Sequence, residues 1–110
     1  MTVYGLFKSQ QNFNFKDASA YCKEQGSQLF FPHGRSLEEA GHKCRHSPCW
    51  VGVVKHGKDF FNEDLTIEAK DLDFHHWEPN NLDGVENCIY IYQGKLMDIL
   101  CNNLASALCE

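Results

Sequence analysis

The sequence predicts an α+β domain: two helices packed on small antiparallel sheets, with a long loop region and a set of disulfide staples. Three observations predict it. Two capped helical stretches precede any strong strand, the strands that follow are short and lie mostly in the second half, and six cysteines occur within 110 residues. A chain this long has room for one domain, residues 1–110, because it buries only about two-thirds of its unfolded surface.

Composition narrows the function. Hydrophobic residues make up 43% and aromatics 13%, ordinary values for a packed globule. The net charge of −5 argues against a nucleic-acid partner, and no Lys/Arg run is present that would displace counterions from phosphates. No apolar run approaches the roughly 20 residues that span a bilayer, so membrane insertion is excluded as well. Cysteine-rich small domains belong to oxidising compartments, where disulfides supplement a limited core, and the expectation is a secreted, extracellular protein. No leader is recognisable after Met1, so a signal peptide has been removed or Met1 is an expression start.

Each element has its own justification. Val3 to Phe7 alternates about a glycine and reads as a short first strand at a sheet edge. Asn14 caps a helix whose third residue is Asp17, with Phe15, Ala18 and Cys22 on one face and Gly26 as its stop. Leu29-Phe30-Phe31-Pro32 is a strand or turn, and Ser36-Leu37-Glu38-Glu39 is a capping box opening a second helix through Lys43. The β-branched and aromatic run Cys49 to Val54 is a buried strand in which Gly52 permits close backbone approach. Lys55 to Asn81 carries scattered apolar residues without period and reads as a long functional loop region. Asn87 to Tyr92 and Lys95 to Ile99 pair across Gln93-Gly94, and Ala105 to Cys109 is a last strand.

Oxygen donors concentrate near the end of the loop region. Glu78, Asn80, Glu86 and Asp98 are the donor types that a hard cation such as calcium takes. A rival cluster, His42-x-Cys44-x-His46-x-x-Cys49, holds ligands that zinc accepts, although the spacing is not that of a standard finger. Oxidised cysteines at the surface with two solvated histidines are the favoured reading there, because the remaining cysteines already argue for oxidation. Residues alone leave fifteen pairings of six cysteines open. Trp50 and Trp77 read as core, Glu63, Asp64, Glu68, Asp71 and Asp73 as an exposed acidic face, and His75 and His76 as solvated loop residues. No serine or cysteine stands in a nucleophile motif with a paired base, which argues against an enzyme.

Several separated features together resemble the C-type lectin-like domain over essentially the whole chain. Phe15-Lys16-Asp17-Ala18, Tyr21-Cys22 and Gly26 resemble the family's first helix, and Trp50-Val51-Gly52-Val53 its central strand. Trp77-Glu78-Pro79-Asn80-Asn81 resembles the Glu-Pro-Asn signature of mannose-type members, followed by Glu86-Asn87-Cys88, Asp98-Ile99-Leu100-Cys101 and Leu108-Cys109-Glu110. The resemblance implies disulfides Cys22 to Cys109 and Cys88 to Cys101, leaving Cys44 and Cys49 for a local bridge. It implies calcium held by Glu78, Asn80, Glu86 and Asp98, with the same four residues meeting the hydroxyls of mannose-like glycans or glycoproteins, and a cis bond at Pro79. Calcium accepts six to eight oxygens, so positions remain for two sugar hydroxyls.

One position departs from the pattern. Sugar-binding members carry Trp-Asn-Asp where this chain has Leu96-Met97-Asp98, and a thioether neither ligates a hard cation nor donates to a hydroxyl. Two functions follow as expectations: a calcium-dependent, non-catalytic mannose-type lectin, or a protein-interaction module that has kept the fold and lost effective sugar binding through Met97. Lys95 is a candidate substitute donor, and Asn81 and Asn87 weaken a second calcium site. Oligomeric state is not readable from the sequence.

Overall fold

The computed structural model describes residues 5–32, 36–57, 59–69 and 88–110. Among these residues eight elements follow in order: β1 (Phe7–Phe13), α1 (Phe15–Glu24), α2 (Ser36–Lys43), β2 (Cys49–His56), β3 (Asp59–Phe61), β4 (Cys88–Tyr92), β5 (Lys95–Ile99) and β6 (Ala105–Cys109). The strands form one sheet in the order β1-β6-β2-β4-β5, with β3 added on β2. The class is α+β; within the sheet, β2 and β6 run parallel through Cys49↔Ser106 and Trp50↔Ala107, while the other pairs are antiparallel.

Local chemistry sets the ends of α1. The Asn14 side chain accepts from the Asp17 amide at 2.8 Å, and Asp17 places a negative charge in the first turn, where the helix dipole favours it. At the other end Gly26 takes φ +74°, its amide donates to the Lys23 carbonyl, and the Ser27 amide donates to that of Cys22. This double bond is the Schellman arrangement, and it needs a left-handed residue that glycine adopts without strain. Ala18, Ser19 and Cys22 form the buried face.

The first strand departs from expectation. Gly5 and Leu6 are not in a strand, Val3 and Tyr4 lie outside the described residues, and β1 instead occupies the polar run Phe7–Phe13. Its partner explains the shift. β1 pairs with β6 from Phe7↔Cys109 to Phe13↔Ala105, and the Ser9 hydroxyl accepts from the Ala107 amide at 2.8 Å, so β6 recruits a strand that the local apolar pattern does not mark. A register shift between Lys8 and Asn12 bends this edge, a common device against edge-to-edge pairing.

The centre of the sheet is β2, with the two sides of the core on its two faces. One cluster gathers Phe30, Ala40, Val51, Val53, Ile89 and Leu96; the other gathers Ala18, Leu29, Trp50, Ala105 and Ala107. Trp50 is fully buried, donates from Nε1 to the Phe13 carbonyl at 2.7 Å, and meets Phe15 edge-on at 5.7 Å. Residues 28–30 lie against both β6 and β2. The Phe30 amide donates to Leu108, and the Gly52 amide donates to Phe30 at 2.7 Å. A Cβ on Gly52 would lie 2.8 Å from the Leu29 carbonyl oxygen, so only glycine allows this approach.

Within the stretch expected as loop, β3 pairs with β2 through Val54↔Phe61, Lys55↔Phe60 and His56↔Asp59. The chain beyond it is ordered by Asn62, whose Oδ1 accepts from the amides of Thr66 at 2.8 Å and Ile67 at 3.0 Å. The Ala69 amide then donates to the Phe60 carbonyl at 2.7 Å.

Candidate functional site

Of the four expected oxygen-bearing residues, Asp98 lies within the described structure; Glu78, Asn80 and Glu86 lie outside the described residues, as do Trp77, Pro79, His75 and His76. Asp98 sits on β5 directly across from Ile89 on β4 and is only 2% exposed. Alternation along β5 puts Asp98 on the same face as Leu96, within the cluster of Phe30, Val53, Ile89 and Ile91. A carboxylate in that setting is unusual, because desolvation penalises charge unless counter-charge or hydrogen bonds offset it.

The described residues that flank 70–87 in sequence, Ala69 and Cys88, both belong to the part of the fold that holds this carboxylate. The chain leaves the described residues after Ala69, which packs against the Asp98-side cluster, and re-enters at Cys88. Val54 of β2 stands between Phe61 of β3 and Cys88 of β4, so departure and return flank the same strand. Cys88 pairs in register with Ile99, the neighbour of Asp98, and is bonded to Cys101 with a Cα separation of 5.2 Å. That bridge closes the open end of the β4–β5 hairpin. The closed end is the Gln93-Gly94 turn, where φ is +54° and +76°, the pair of left-handed residues that a type I′ turn requires.

Met97 faces the other way. It is half-buried, pairs with Tyr90, and shares its sheet face with Cys88 and Ile99. Neighbouring Met97 and Asp98 thus occupy opposite faces of β5.

The remaining cysteines are bonded too. Cys22 joins Cys109, fastening α1 to β6, and Cys44 joins Cys49 with Cα atoms 5.9 Å apart, fastening the end of α2 to the start of β2. The zinc reading fails on this observation, because the disulfide removes both thiolates that the metal would use. His42 and His46, on either side of Cys44 in sequence, are exposed.

Glu63 was expected on an exposed acidic face and is instead half-buried, accepting a 2.5 Å hydrogen bond from the buried Ser19 hydroxyl of α1. Asp64 and Glu68 are exposed, while Asp71 and Asp73 lie outside the described residues. The Ser19–Glu63 contact spans 44 positions, and no local pattern announces it. Near it a groove of about 220 Å³ opens between α1 and the segment after β3, lined by Lys23, Leu29, Phe31, Glu63, Asp64 and Glu110.

Residues 11–110 match the family described as the lectin C-type domain. The chain belongs to this family. Members are non-catalytic carbohydrate-binding modules that generally bind calcium, and the chain is accordingly a lectin or lectin-like module. It is 31% identical to mouse L-selectin over 117 residues, covering 92% of this chain and 30% of L-selectin. It therefore spans under a third of that relative's length. The carbohydrate-recognition domain of the mouse scavenger receptor C-type lectin superposes with a TM-score of 0.75 at 20% identity, covering 98% of this chain and 90% of that one. TC14, a C-type lectin from the tunicate Polyandrocarpa misakiensis, superposes with a TM-score of 0.69 at 23% identity, covering 97% and 96%. At these identities the structural likeness shows a shared fold. Among the described residues no helix is long and apolar enough to cross a membrane.

Proposed function

We propose that this chain is one extracellular carbohydrate-recognition domain, residues 1–110, that binds mannose-like glycans or glycoproteins through calcium. The observation that carries the reading is Asp98: a buried carboxylate on the strand that faces the return point of residues 70–87, next to the Cys88–Cys101 bridge. Glu86 precedes the paired Cys88 by two positions, and Glu78-Pro79-Asn80 lies in the same segment.

The donor chemistry fits calcium. Three carboxylates and one amide oxygen are hard ligands, and four protein residues leave coordination positions for two vicinal hydroxyls. Bound calcium supplies direct electrostatic attraction for those hydroxyl oxygens. Each carboxylate of Glu78 and Glu86 accepts a hydrogen bond from a sugar hydroxyl, and the Asn80 amide donates one. No bond is made or broken, so binding rests on positioning alone. Met97 provides no donor for the second hydroxyl, and a missing hydrogen bond costs roughly 1 kcal/mol, which sets a weak affinity.

The test is retention on mannose-agarose in calcium with elution by chelator, extended by a glycan array run with and without calcium. Retention that persists in chelator overturns the mechanism.

The second reading is a protein-interaction module without effective sugar binding, and the placement of Met97 favours it. Met97 packs beside Tyr90 on the face away from Asp98, so the side chain where an amide is expected is part of a sheet face. Calorimetry without calcium heat at millimolar concentration selects this reading. Sugar binding restored by Met97→Asn to a native chain that has none confirms this reading and identifies the defect.

A further inference from the structure

His42, Lys43, Arg45 and His46 remain without a role once the zinc reading is removed. All four are exposed, and they cluster where α2 ends and the Cys44–Cys49 bridge turns the chain into β2. A fifth group joins from another element: Lys8 of β1 donates from Nζ to the Ser47 hydroxyl at 3.1 Å, which brings its ammonium to the same loop. Three of the ten Lys and Arg residues and two of the six histidines of a chain with net charge −5 are thus gathered in one place.

The loop is held in place. Besides the disulfide, the Pro48 carbonyl accepts from the Ser106 amide at 3.1 Å, and the Cys44 carbonyl accepts from the Gln93 amide at 3.4 Å. Arg45 donates from Nε to Nε2 of His46 at 3.2 Å, which leaves the two terminal nitrogens of the guanidinium for a ligand. One or two cations at a helix C-terminus complement its dipole. That accounts for His42 and Lys43 in the last turn, and not for Arg45, His46 or Lys8 beyond it. The nearest acids in sequence are Glu38 and Glu39, a turn earlier on α2.

We propose that Lys8, Lys43 and Arg45, with His42 and His46, form a calcium-independent binding surface for the sulfate groups of a sulfated glycan chain. The chemistry selects this partner over a protein. A stable protein interface needs an apolar core, and among the described residues the exposed large hydrophobic side chains (Phe7, Leu65, Ile67, Leu100 and Leu104) include none from the loop itself. A repeating polyanion needs only fixed cations, with attraction and counterion release supplying the affinity, and Arg meets a planar pair of anionic oxygens with two parallel bonds. The surface is remote from Asp98: it lies by the Gln93-Gly94 turn, and Asp98 is four residues further along β5, about 13 Å at strand rise.

The experiment measures binding of a fluorescent heparin dodecasaccharide in excess chelator. The expected result is binding at 50 mM NaCl, with log affinity falling against log salt with a slope on the order of −2 for three neutralised charges. K43A/R45A weakens binding at least tenfold, and adding K8A weakens it further. The exposed α1 pair K16A/K23A leaves it unchanged, and fully desulfated heparin does not bind. Near-ultraviolet dichroism of each variant checks that the fold is kept. Absence of binding at 50 mM NaCl, loss of binding in chelator, or an equal loss in K16A/K23A overturns the proposal. Equally tight binding of a DNA duplex overturns it too, since the surface would then be a general polyanion exchanger. Mannose-agarose retention reads the calcium site separately, so failure of either proposal is visible apart from the other.

Discussion

Gly52 shows how one missing methyl permits a whole arrangement. Its amide donates to Phe30 while the Leu29 carbonyl oxygen sits where a Cβ would be 2.8 Å away, and that oxygen belongs to backbone packed between two strands. Gly52→Ala is therefore expected to destabilise the fold by about 1–3 kcal/mol through overpacking, read as a lower urea midpoint with unchanged slope. Asn14 carries a smaller effect. Its side chain satisfies one otherwise unpaired amide at the start of α1, and Asn14→Ala should cost about 1 kcal/mol in the same measurement. Both roles are legible in the sequence, because a glycine in a buried apolar run and an asparagine ahead of an amphipathic stretch have few other physical explanations. Glu63 is the counter-example. Its chemistry suits an exposed acidic face equally well, and the Ser19 hydroxyl that half-buries it arrives from 44 positions away.

At the scale of elements, the three bridges differ in what they constrain. Cys22–Cys109 closes 87 positions, Cys88–Cys101 closes 13 and Cys44–Cys49 only 5. In the chain-entropy description these closures stabilise by about 4.6, 2.9 and 2.1 kcal/mol. The outer two pairs are fully buried, so replacing either with alanine adds a similar packing loss. C22A/C109A should consequently be less stable than C44A/C49A by about 2.5 kcal/mol in chemical denaturation. Equal losses would show that α2 depends on its bridge for more than entropy. The same elements mark the limits of reading locally. α1, α2 and β2 announce themselves through caps and apolar pattern, and the β4–β5 hairpin through its turn. β1 is polar along most of its length and exists because β6 offers it hydrogen bonds, while β3 has three residues and is fixed by pairing with β2. Neither partner is visible within a window around the strand itself.

At the scale of the molecule, the fold and the proposed site are coupled through binding. A cation held by the native state and not by the unfolded chain stabilises by RT ln(1 + [L]/Kd). Sites of extracellular modules have dissociation constants of about 0.1–1 mM, and the weak end of that range serves for the proposed site. With a Kd of about 1 mM, 10 mM calcium adds about 1.4 kcal/mol. For a chain of this size that is a rise of roughly 5 °C in Tm relative to chelator. Asp98→Asn removes a carboxylate from the set and should abolish the rise. Magnesium at the same concentration should give a smaller rise, because it demands a tighter octahedral arrangement and gives up its water reluctantly. A Tm that ignores calcium in the native chain and in Met97→Asn alike would remove the cation from the account. The lectin fold would then stand as the frame of an interaction module.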